Sequence, residues 1–200
     1  MHIAIEGMDG VGKTTVAKEL ARRLTFSFIE KPLHYLFDEE NSTEYPNYLR
    51  ISNHVNESFD STFQAWFYGL GNIYLNRRFK HINIVTDRHL VSNHYWNCTE
   101  ENREIFDMLI KTIGQPDYTF LLYASPEIRY QRIINRNAND SDLEKVYLNN
   151  NAYEKMKEFL DQKDFRYQII DTSNIGVNQI ADLMLEVICN QFPYIGGTMS

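Results

Sequence analysis

The sequence predicts an α/β protein in which helices cover both faces of a parallel β-sheet. Five short apolar runs, rich in β-branched and aromatic residues, alternate along the chain with segments of helical spacing. A run that is apolar at every position is typical of a strand buried on both faces, as in parallel sheets. The predicted strands cover residues 3–5, 26–29, 82–86, 118–123 and 167–170.

Composition and charge exclude several classes of protein. The chain has 200 residues, 43% of them hydrophobic and 24% charged, so we expect a single domain spanning residues 1–200. The net charge of −7 argues against nucleic acid as a partner, because a nucleic-acid binder needs a basic face. No run reaches the ~20 apolar residues of a membrane span, and no signal peptide is recognisable. Two cysteines form no disulfide framework, which favours a cytoplasmic location.

The segment after the first strand matches a phosphate-binding motif. Residues 7–14 follow the pattern G-x-x-x-x-G-K-[ST], with Lys13 and Thr14 in the last two positions. Glycines let main-chain N–H groups converge on phosphate oxygens, the lysine adds a cation, and the threonine hydroxyl can ligate Mg²⁺. The predicted helix over residues 15–24 adds its positive dipole end to the site. The residues predicted to bind the nucleotide phosphates are Gly7, Gly10, Gly12, Lys13, Thr14 and Thr15.

Asp87 and Arg88 follow the third apolar run, at the carboxyl end of a predicted strand. Ligands of open parallel sheets bind at this edge. The carboxylate of Asp87 could hold Mg²⁺ through water, and the guanidinium of Arg88 could bind a second phosphate through two parallel hydrogen bonds. A surface ion pair at the start of a loop is the alternative interpretation.

Helices are predicted where apolar side chains recur at three- and four-residue spacing. Ser125 and Pro126 form a good N-cap and first-turn pair for one of them. The polar residues 135–142 interrupt the helical pattern. The predicted helices after the first cover residues 59–74, 105–113, 126–133, 143–160 and 180–188.

Three motifs together resemble the thymidylate kinase family, which consists of P-loop nucleoside monophosphate kinases. The motifs are "EGMDGVGKTT" at residues 6–15, "TDRHLVS" at 86–92 and "QPDYTFLLYASPE" at 115–127. The resemblance extends over roughly residues 3–188. It implies a P-loop NTPase fold with a five-stranded parallel sheet, Mg²⁺ as cofactor and ATP as donor. It also implies a lid at about residues 135–144 and a homodimer.

The resemblance implies roles for individual residues as well. Lys13, Thr14 and Thr15 correspond to the donor-phosphate site, and Thr14 and Asp87 to the Mg²⁺ site. The residues that correspond to the acceptor site are Asp9, Phe67, Arg88, Ser92, Trp96 and Asn97, and those near the donor adenine are Asp171 and Thr172. Asp9 would bond the 3′-hydroxyl of the acceptor sugar, although an aspartate here can also cap the loop. The two aromatic residues would contact the base and the sugar, although core positions are the alternative.

Four departures from the family pattern concern specificity and charge. Gly71 stands where an arginine usually reads the base, and "EKP" at 30–32 replaces Arg-Glu-Pro. Asn97 replaces a common glutamine, and Asp142 stands where bacterial members carry a lid arginine. Gly69 and Gly71 leave room either for a larger base or for close helix packing.

The missing lid arginine shifts the task of stabilising charge to other cations. The predicted catalytic residues are Lys13, Arg88, Arg132 and Arg136. Arg129, Arg132 and Arg136 share one helix face, which either points towards the lid or is a solvated basic face.

Three functions remain open from the sequence. The first is ATP-dependent phosphoryl transfer to a (deoxy)nucleoside monophosphate, which gives the diphosphate. The second is a deoxynucleoside kinase, which needs a carboxylate base such as Glu6, Asp9 or Glu30. The third is a nucleotide-binding regulatory protein with weak turnover, suggested by the small number of arginines in the motifs.

Overall fold

The structure is a computed structural model that describes residues 1–39, 44–140, 143–147 and 151–193. The strands are β1 (His2–Gly7), β2 (Ser27–Ile29), β3 (Ile84–Asp87), β4 (Tyr118–Tyr123) and β5 (Tyr167–Asp171). The helices are α1 (Lys13–Leu24), α2 (His34–Phe37), α3 (Pro46–Glu57), α4 (Ser61–Arg78), α5 (Leu90–Asn97), α6 (Arg103–Ile113), α7 (Pro126–Arg136), α8 (Ala152–Gln162) and α9 (Val177–Gln191).

The five strands form one sheet in the order β2-β3-β1-β4-β5, and every neighbouring pair is parallel. The predicted α/β fold with a five-stranded parallel sheet and flanking helices is therefore confirmed. The register pairs Ile5 of β1 with Asp87 of β3, and Gly7 with Leu122 of β4. This register places the loop that follows β1 beside the carboxyl ends of both neighbouring strands.

The central strands are apolar along nearly their whole length because helices cover both faces of the sheet. In β1, Ile3 and Ile5 are completely buried, and Phe120 and Leu121 of β4 are buried with them. Helix α1 contacts β3 and α9, whereas α4 packs against α5 and α6. No helix within the described residues is long and apolar enough to cross a membrane.

The helix predictions are wrong at two places. Phe59 lies outside α4, with a φ of +52° and a side chain that is 94% exposed, because the cap residue Asp60 starts the helix at Ser61. Residues 143–147 form hydrogen-bonded turns, and the helix that follows begins at residue 152. In these turns Val146 is buried whereas Tyr147 is 50% exposed, so the apolar spacing there does not mark one buried helix face.

Two helices that the apolar spacing did not predict border a cleft that Tyr48, Ser92 and Trp96 line, here called the main cleft. Helix α3 buries Tyr48, Ser52 and Val55, so one of its three core positions is polar. Helix α5 buries Ser92 and Asn93 in its middle. A search for apolar periodicity misses both helices because polar side chains occupy part of their buried faces.

Gly69 and Gly71 of α4 serve different purposes. A Cβ atom at Gly69 would lie 3.0 Å from Leu109 Cδ1, so this glycine allows α4 to pack closely on α6. A Cβ atom at Gly71 would lie 3.4 Å from Leu33 Cγ, at ordinary contact distance, and this glycine lines the main cleft. Gly69 therefore serves close helix packing, whereas Gly71 leaves room in the cleft.

Candidate active site

The glycine-rich loop curves between the end of β1 and the start of α1. Gly7, Gly10 and Gly12 have φ values of +135°, +86° and +95°, in the region that favours glycine. A Cβ atom at Gly7 would lie 2.5 Å from Leu122 O, so no side chain fits there. Because Gly12 has no side chain to cap α1, the first N–H groups of this helix stay available for an anion.

Lys13 lies at the centre of this loop. Its side chain is buried, and its Nζ donates a hydrogen bond to Met8 O at 2.8 Å and lies 3.7 Å from Asp9 Oδ1. Burial lowers the pKa of Lys13 to about 8, and the charge of Arg88 adds to the effect, against the nearby carboxylates. A buried ammonium group whose charge is only partly balanced is well suited to bind the phosphates of a nucleotide.

Asp9 connects the loop with the neighbouring strand end. Its Oδ1 accepts a hydrogen bond from the Arg88 guanidinium at 2.5 Å. Burial alone would raise the pKa of Asp9, but the charges of Lys13 and Arg88 outweigh burial and hold that pKa well below its usual range. The carboxylate is therefore ionised and held between two cations.

Thr14 and Asp87 meet where α1 begins and β3 ends. Thr14 Oγ1 donates a hydrogen bond to Asp87 Oδ2. The second carboxylate oxygen, Asp87 Oδ1, is buried and has no hydrogen-bond partner among the described residues. Mg²⁺ prefers oxygen ligands and is commonly bound by one or two carboxylates together with substrate phosphates. These two side chains therefore fit the predicted Mg²⁺ site.

Arg88 has an unusual backbone conformation, with a φ of +71°. Its guanidinium donates to Asp9 and to Ser92 Oγ, the latter at 3.3 Å, and its N–H donates to Ile5 O at 2.9 Å. A side chain in the left-handed region is strained, and such residues concentrate at functional sites. The structure thus brings Asp9, Arg88 and Ser92 together, as the sequence predicted.

Glu6 binds the residues that follow Arg88. The sequence analysis considered it only as a possible base. Its completely buried carboxylate accepts hydrogen bonds from the N–H groups of His89, Val91 and Ser92 and from the Ser92 hydroxyl. Burial raises the pKa of Glu6, and these hydrogen bonds and Arg88 oppose the shift. Because its oxygens are occupied by the first turn of α5, Glu6 holds that turn in place. An acidic residue inside the apolar run "IAIEG" was the signal in the sequence.

A cleft of about 510 Å³ opens beside Arg88, between α3, α4, α5 and residues 30–33. The predicted acceptor residues that line it are Asp9, Arg88, Ser92, Trp96 and Asn97. Gly71 and Asp87 line the cleft as well. Five of the six predicted acceptor residues therefore line one cleft.

Phe67 lies away from this cleft. Its ring stacks on Phe37, with centroids 6.4 Å apart, and meets Tyr68 edge-on at 5.2 Å. The face of α4 that lines the cleft carries Gln64 and Tyr68, four residues apart. The rotation of the helix therefore presents Tyr68, the neighbour of the predicted residue, to the cleft.

The arginines of α7 have three different environments. Arg129 Nε donates to Asp9 O at 2.8 Å. The Arg132 guanidinium donates to Thr172 O at 2.6 Å and lies 3.4 Å from both Gly10 O and Val11 O. Arg136 pairs with Asp140 at 2.5 Å and is exposed. Two of the three arginines thus bind main-chain carbonyls of the glycine-rich loop.

The predicted lid at about residues 135–144 is described only in part, because residues 141–142, and with them the predicted position Asp142, lie outside the described residues. At the end of β5, Thr172 is buried and its Oγ1 donates to Val11 O at 2.9 Å. Asp171 accepts a hydrogen bond from the N–H of Ser173 at 2.8 Å. The predicted adenine loop therefore borders the phosphate loop directly.

Comparisons with known proteins identify the family. The model of the family described as thymidylate kinase matches residues 5–183. The cytidylate kinase of Mycoplasmopsis synoviae (strain 53) is 25% identical over 221 residues, covering 94% of this chain and 98% of that protein.

Two solved structures share the fold. The deoxyadenosine kinase from M. mycoides with dCMP and dCDP bound has a TM-score of 0.65 and 19% identity, covering 95% of this chain and 100% of its own. The thymidylate kinase from Candida albicans has a TM-score of 0.67 and 20% identity, covering 94% of this chain and 90% of its own. Because the family model spans nearly the whole sequence, the chain belongs to the thymidylate kinase family.

Proposed function

We propose that this protein transfers the γ-phosphoryl group of ATP to a (deoxy)nucleoside monophosphate and forms the diphosphate. One observation carries the proposal: Lys13, Asp9 and Arg88 form a continuous charged row from the phosphate loop to the wall of the cleft. The row provides a buried cation, Lys13, for the donor and a second, partly exposed cation, Arg88, for the acceptor. Two phosphate groups that must meet in line need this arrangement of positive charge.

The residues of the row would divide the work between the two substrates. Lys13 and the first N–H groups of α1 bind the phosphates of the donor. Mg²⁺, held by Thr14 and Asp87 when bound, supplies further positive charge to the transferring group. Arg88 binds the phosphate of the acceptor through its planar guanidinium. An acceptor phosphate is already ionised, so the transfer needs no general base.

Asp9 would change partners when the acceptor binds. In the structure its carboxylate accepts a hydrogen bond from the Arg88 guanidinium. An acceptor phosphate carries more negative charge and would displace the carboxylate from Arg88. The released carboxylate can then accept a hydrogen bond from a hydroxyl of the acceptor sugar. Asp9 would in this way couple the acceptor site to the loop that holds the donor.

Replacement of Asp9 by alanine is expected to raise the KM of the acceptor by about tenfold, the loss of one charged hydrogen bond, and to leave the Kd of ATP nearly unchanged. Steady-state kinetics with the acceptor varied, and calorimetric titration with ATP, measure the two quantities. Glu19→Ala, at an ion-paired position of α1 outside the loop, is the control for the removal of a carboxylate. A change confined to ATP binding would instead support a loop-capping role.

A deoxynucleoside kinase is the second candidate function. The observation that favours it is Glu30, a carboxylate that lines the same cleft as Arg88. A carboxylate there could take the proton from a 5′-hydroxyl, which a nucleoside acceptor requires. The predicted base Glu6 is engaged with α5, so Glu30 and Asp9 are the carboxylates of the three that remain for this reaction.

One experiment separates the candidate functions. The protein is incubated with Mg²⁺ and ATP against a panel of nucleosides and nucleoside monophosphates, and ADP and products are followed. Transfer to nucleosides alone would refute the main proposal, and ATP binding without any product would support a regulatory protein. Efficient transfer to dTMP would show that Gly71 does not abolish thymine recognition.

We also propose that the protein forms a homodimer through α4. Phe63, Trp66 and Leu70 lie on one side of this helix at three- and four-residue spacing, and Met108 of the neighbouring helix α6 is exposed as well. Each of these side chains is more than 40% exposed. Contiguous exposed apolar surface marks an interface, and the helix that lines the acceptor cleft would be stabilised by a second copy.

Trp66→Glu is expected to convert the dimer into a monomer, because a charge at the centre of the interface would be buried without a partner. Light scattering after size-exclusion chromatography should give the 23.7 kDa mass of one chain for the variant and twice that mass for the unmodified protein. Leu183→Glu, at an exposed position of α9, is the control and should remain dimeric. A wild-type protein with the mass of one chain would contradict the proposal.

A further inference from the structure

We infer that Asn72 of α4 reads the base of the acceptor by donating a hydrogen bond from its side-chain NH₂ group. The partner atom would be a ring nitrogen or a carbonyl oxygen of the nucleobase. The inference deepens the proposed function, since it rests on the cleft being the site of a nucleobase-containing acceptor. It assigns base recognition to the residue next to Gly71.

The side chain of Asn72 has a buried donor without a partner. The residue is 6% exposed and lines the cleft, and its Nδ2 forms no hydrogen bond within the part of the chain that the structure describes. Buried polar groups are almost always hydrogen-bonded, because an unpaired donor loses the water that it had in the unfolded chain. An unpaired donor in the wall of a cleft therefore indicates a ligand that completes it.

Two other residues of the cleft have buried unpaired atoms, and each lies in a different environment from Asn72. The unpaired oxygen of Asp87 belongs to the predicted Mg²⁺ site. The ring of His89 meets His2 edge-on, with centroids 4.7 Å apart, and also borders a second cavity. Asn72 belongs neither to the predicted Mg²⁺ site nor to the second cavity, and its unpaired donor is in the wall of the cleft.

Neighbouring amides of the same cleft are already bound by the protein. Asn93 Nδ2 donates to Ala65 O at 3.1 Å, and Asn97 Nδ2 donates to Asn93 Oδ1 at 2.9 Å. Gln64 Nε2 donates to Asn56 O at 3.1 Å. These amides therefore shape the cleft, whereas the unpaired NH₂ group is left over for a ligand.

The surroundings of Asn72 suit a flat, uncharged ring. Gln64, Tyr68 and Asn72 follow one another at four-residue spacing and line the cleft along α4. The position before Asn72 is a glycine, whose nearest neighbours are the side chains of Pro32 and Leu33. An apolar wall with an amide donor beside it binds the faces of a base through contact and its edge through hydrogen bonds.

Asn72→Leu tests the inference because it removes the donor while nearly conserving side-chain size. The unfolding temperature of the free protein should stay the same or rise, since an unpaired buried polar group is removed. The kcat/KM of the preferred acceptor should fall by about tenfold, the value of one hydrogen bond to an uncharged partner. Discrimination between the preferred base and the next best should shrink to a similar extent, whereas the KM of ATP should not change.

Asn93→Leu is the matched control, since it removes an amide that is paired within the protein. Its unfolding temperature should fall, in contrast to that of Asn72→Leu. A lower unfolding temperature of Asn72→Leu with unchanged base discrimination would show that Asn72 is a packing residue and would overturn the inference.

The failure of the inference can be distinguished from the failure of the proposed function. If the unmodified protein phosphorylates nucleosides but no monophosphates, the proposed function fails, and base discrimination is then measured with nucleosides. If the protein binds nucleosides or monophosphates without phosphorylating them, base discrimination is measured as the ratio of their Kd values by calorimetric titration. A protein that binds none of the nucleosides or monophosphates would overturn the inference itself.

Discussion

Lys13→Ala is expected to lower kcat by about 10²–10³-fold, as for other buried groups that stabilise transition-state charge, while the protein remains folded. The ammonium group of Lys13 is buried at the centre of the phosphate loop, where it is shielded from solvent. Electrostatic stabilisation is strongest in such a place, because the group needs no reorganisation when charge moves during the transfer. The removal of Lys13 also leaves Asp9 paired with Arg88 alone. Single-turnover kinetics with ATP and the best acceptor measure the chemical step directly.

Lys18→Ala is the matched control for this experiment. Lys18 lies on the same helix but is exposed and has its Nζ over the ring of Phe28 at 5.3 Å. Its removal changes the net charge by the same amount without touching the phosphate loop. If kcat is unchanged in Lys13→Ala, the assignment of the donor site is wrong.

Arg88→Ala is expected to lower the kcat/KM of a monophosphate acceptor by about 10²–10³-fold, and to change the Kd of ATP little. The guanidinium lies in the wall of the cleft and is held in place by Asp9 and Ser92, so it is prepared to bind a second anion. The strained backbone of this residue, with its φ of +71°, directs the side chain to that place. Arg88→Lys keeps the charge but loses the planar pair of donors, and should restore only part of the activity.

The comparison between acceptors makes this second prediction specific. A nucleoside has no phosphate for Arg88, so its turnover should fall less than that of the corresponding monophosphate. Arg22→Ala, at an exposed ion pair of α1, is the control and should leave both activities unchanged. Equal losses for nucleoside and monophosphate would contradict the proposed role of Arg88 and favour a purely structural one.

Sequence reasoning described the glycine-rich loop better than the cleft. The glycine-rich loop is a local feature, because its glycines, Lys13 and Thr14 act through consecutive backbone positions. Asp87 and Arg88 could be placed because the ends of parallel strands lie at one edge of the sheet. The cleft is formed by distant segments, and there the predictions depended on how each helix is rotated.

Helix α7 shows why side-chain direction could not be obtained from spacing. Arg129 and Arg132 share a face with Arg136, as predicted, but that face lies against the phosphate loop over part of its length. A Cβ atom at Gly10 would come within 2.8 Å of Arg129 O, so the loop and the helix are in direct contact. The buried Arg129 and the partly exposed Arg132 therefore bind loop carbonyls, and the exposed Arg136 pairs with Asp140.

The sequence by itself determined the five parallel strands, the phosphate loop and the charged residues at the ends of β1 and β3. Those features follow from local preferences: apolar runs, glycine conformations and the common edge of parallel strands. Only the tertiary structure decided that Tyr68 instead of Phe67 lines the cleft and that Glu6 holds α5. It also left Asn72 with an unpaired donor. The physical reason is that burial and hydrogen bonding depend on which segments meet in space, and this information is not contained in the spacing of residues along one segment.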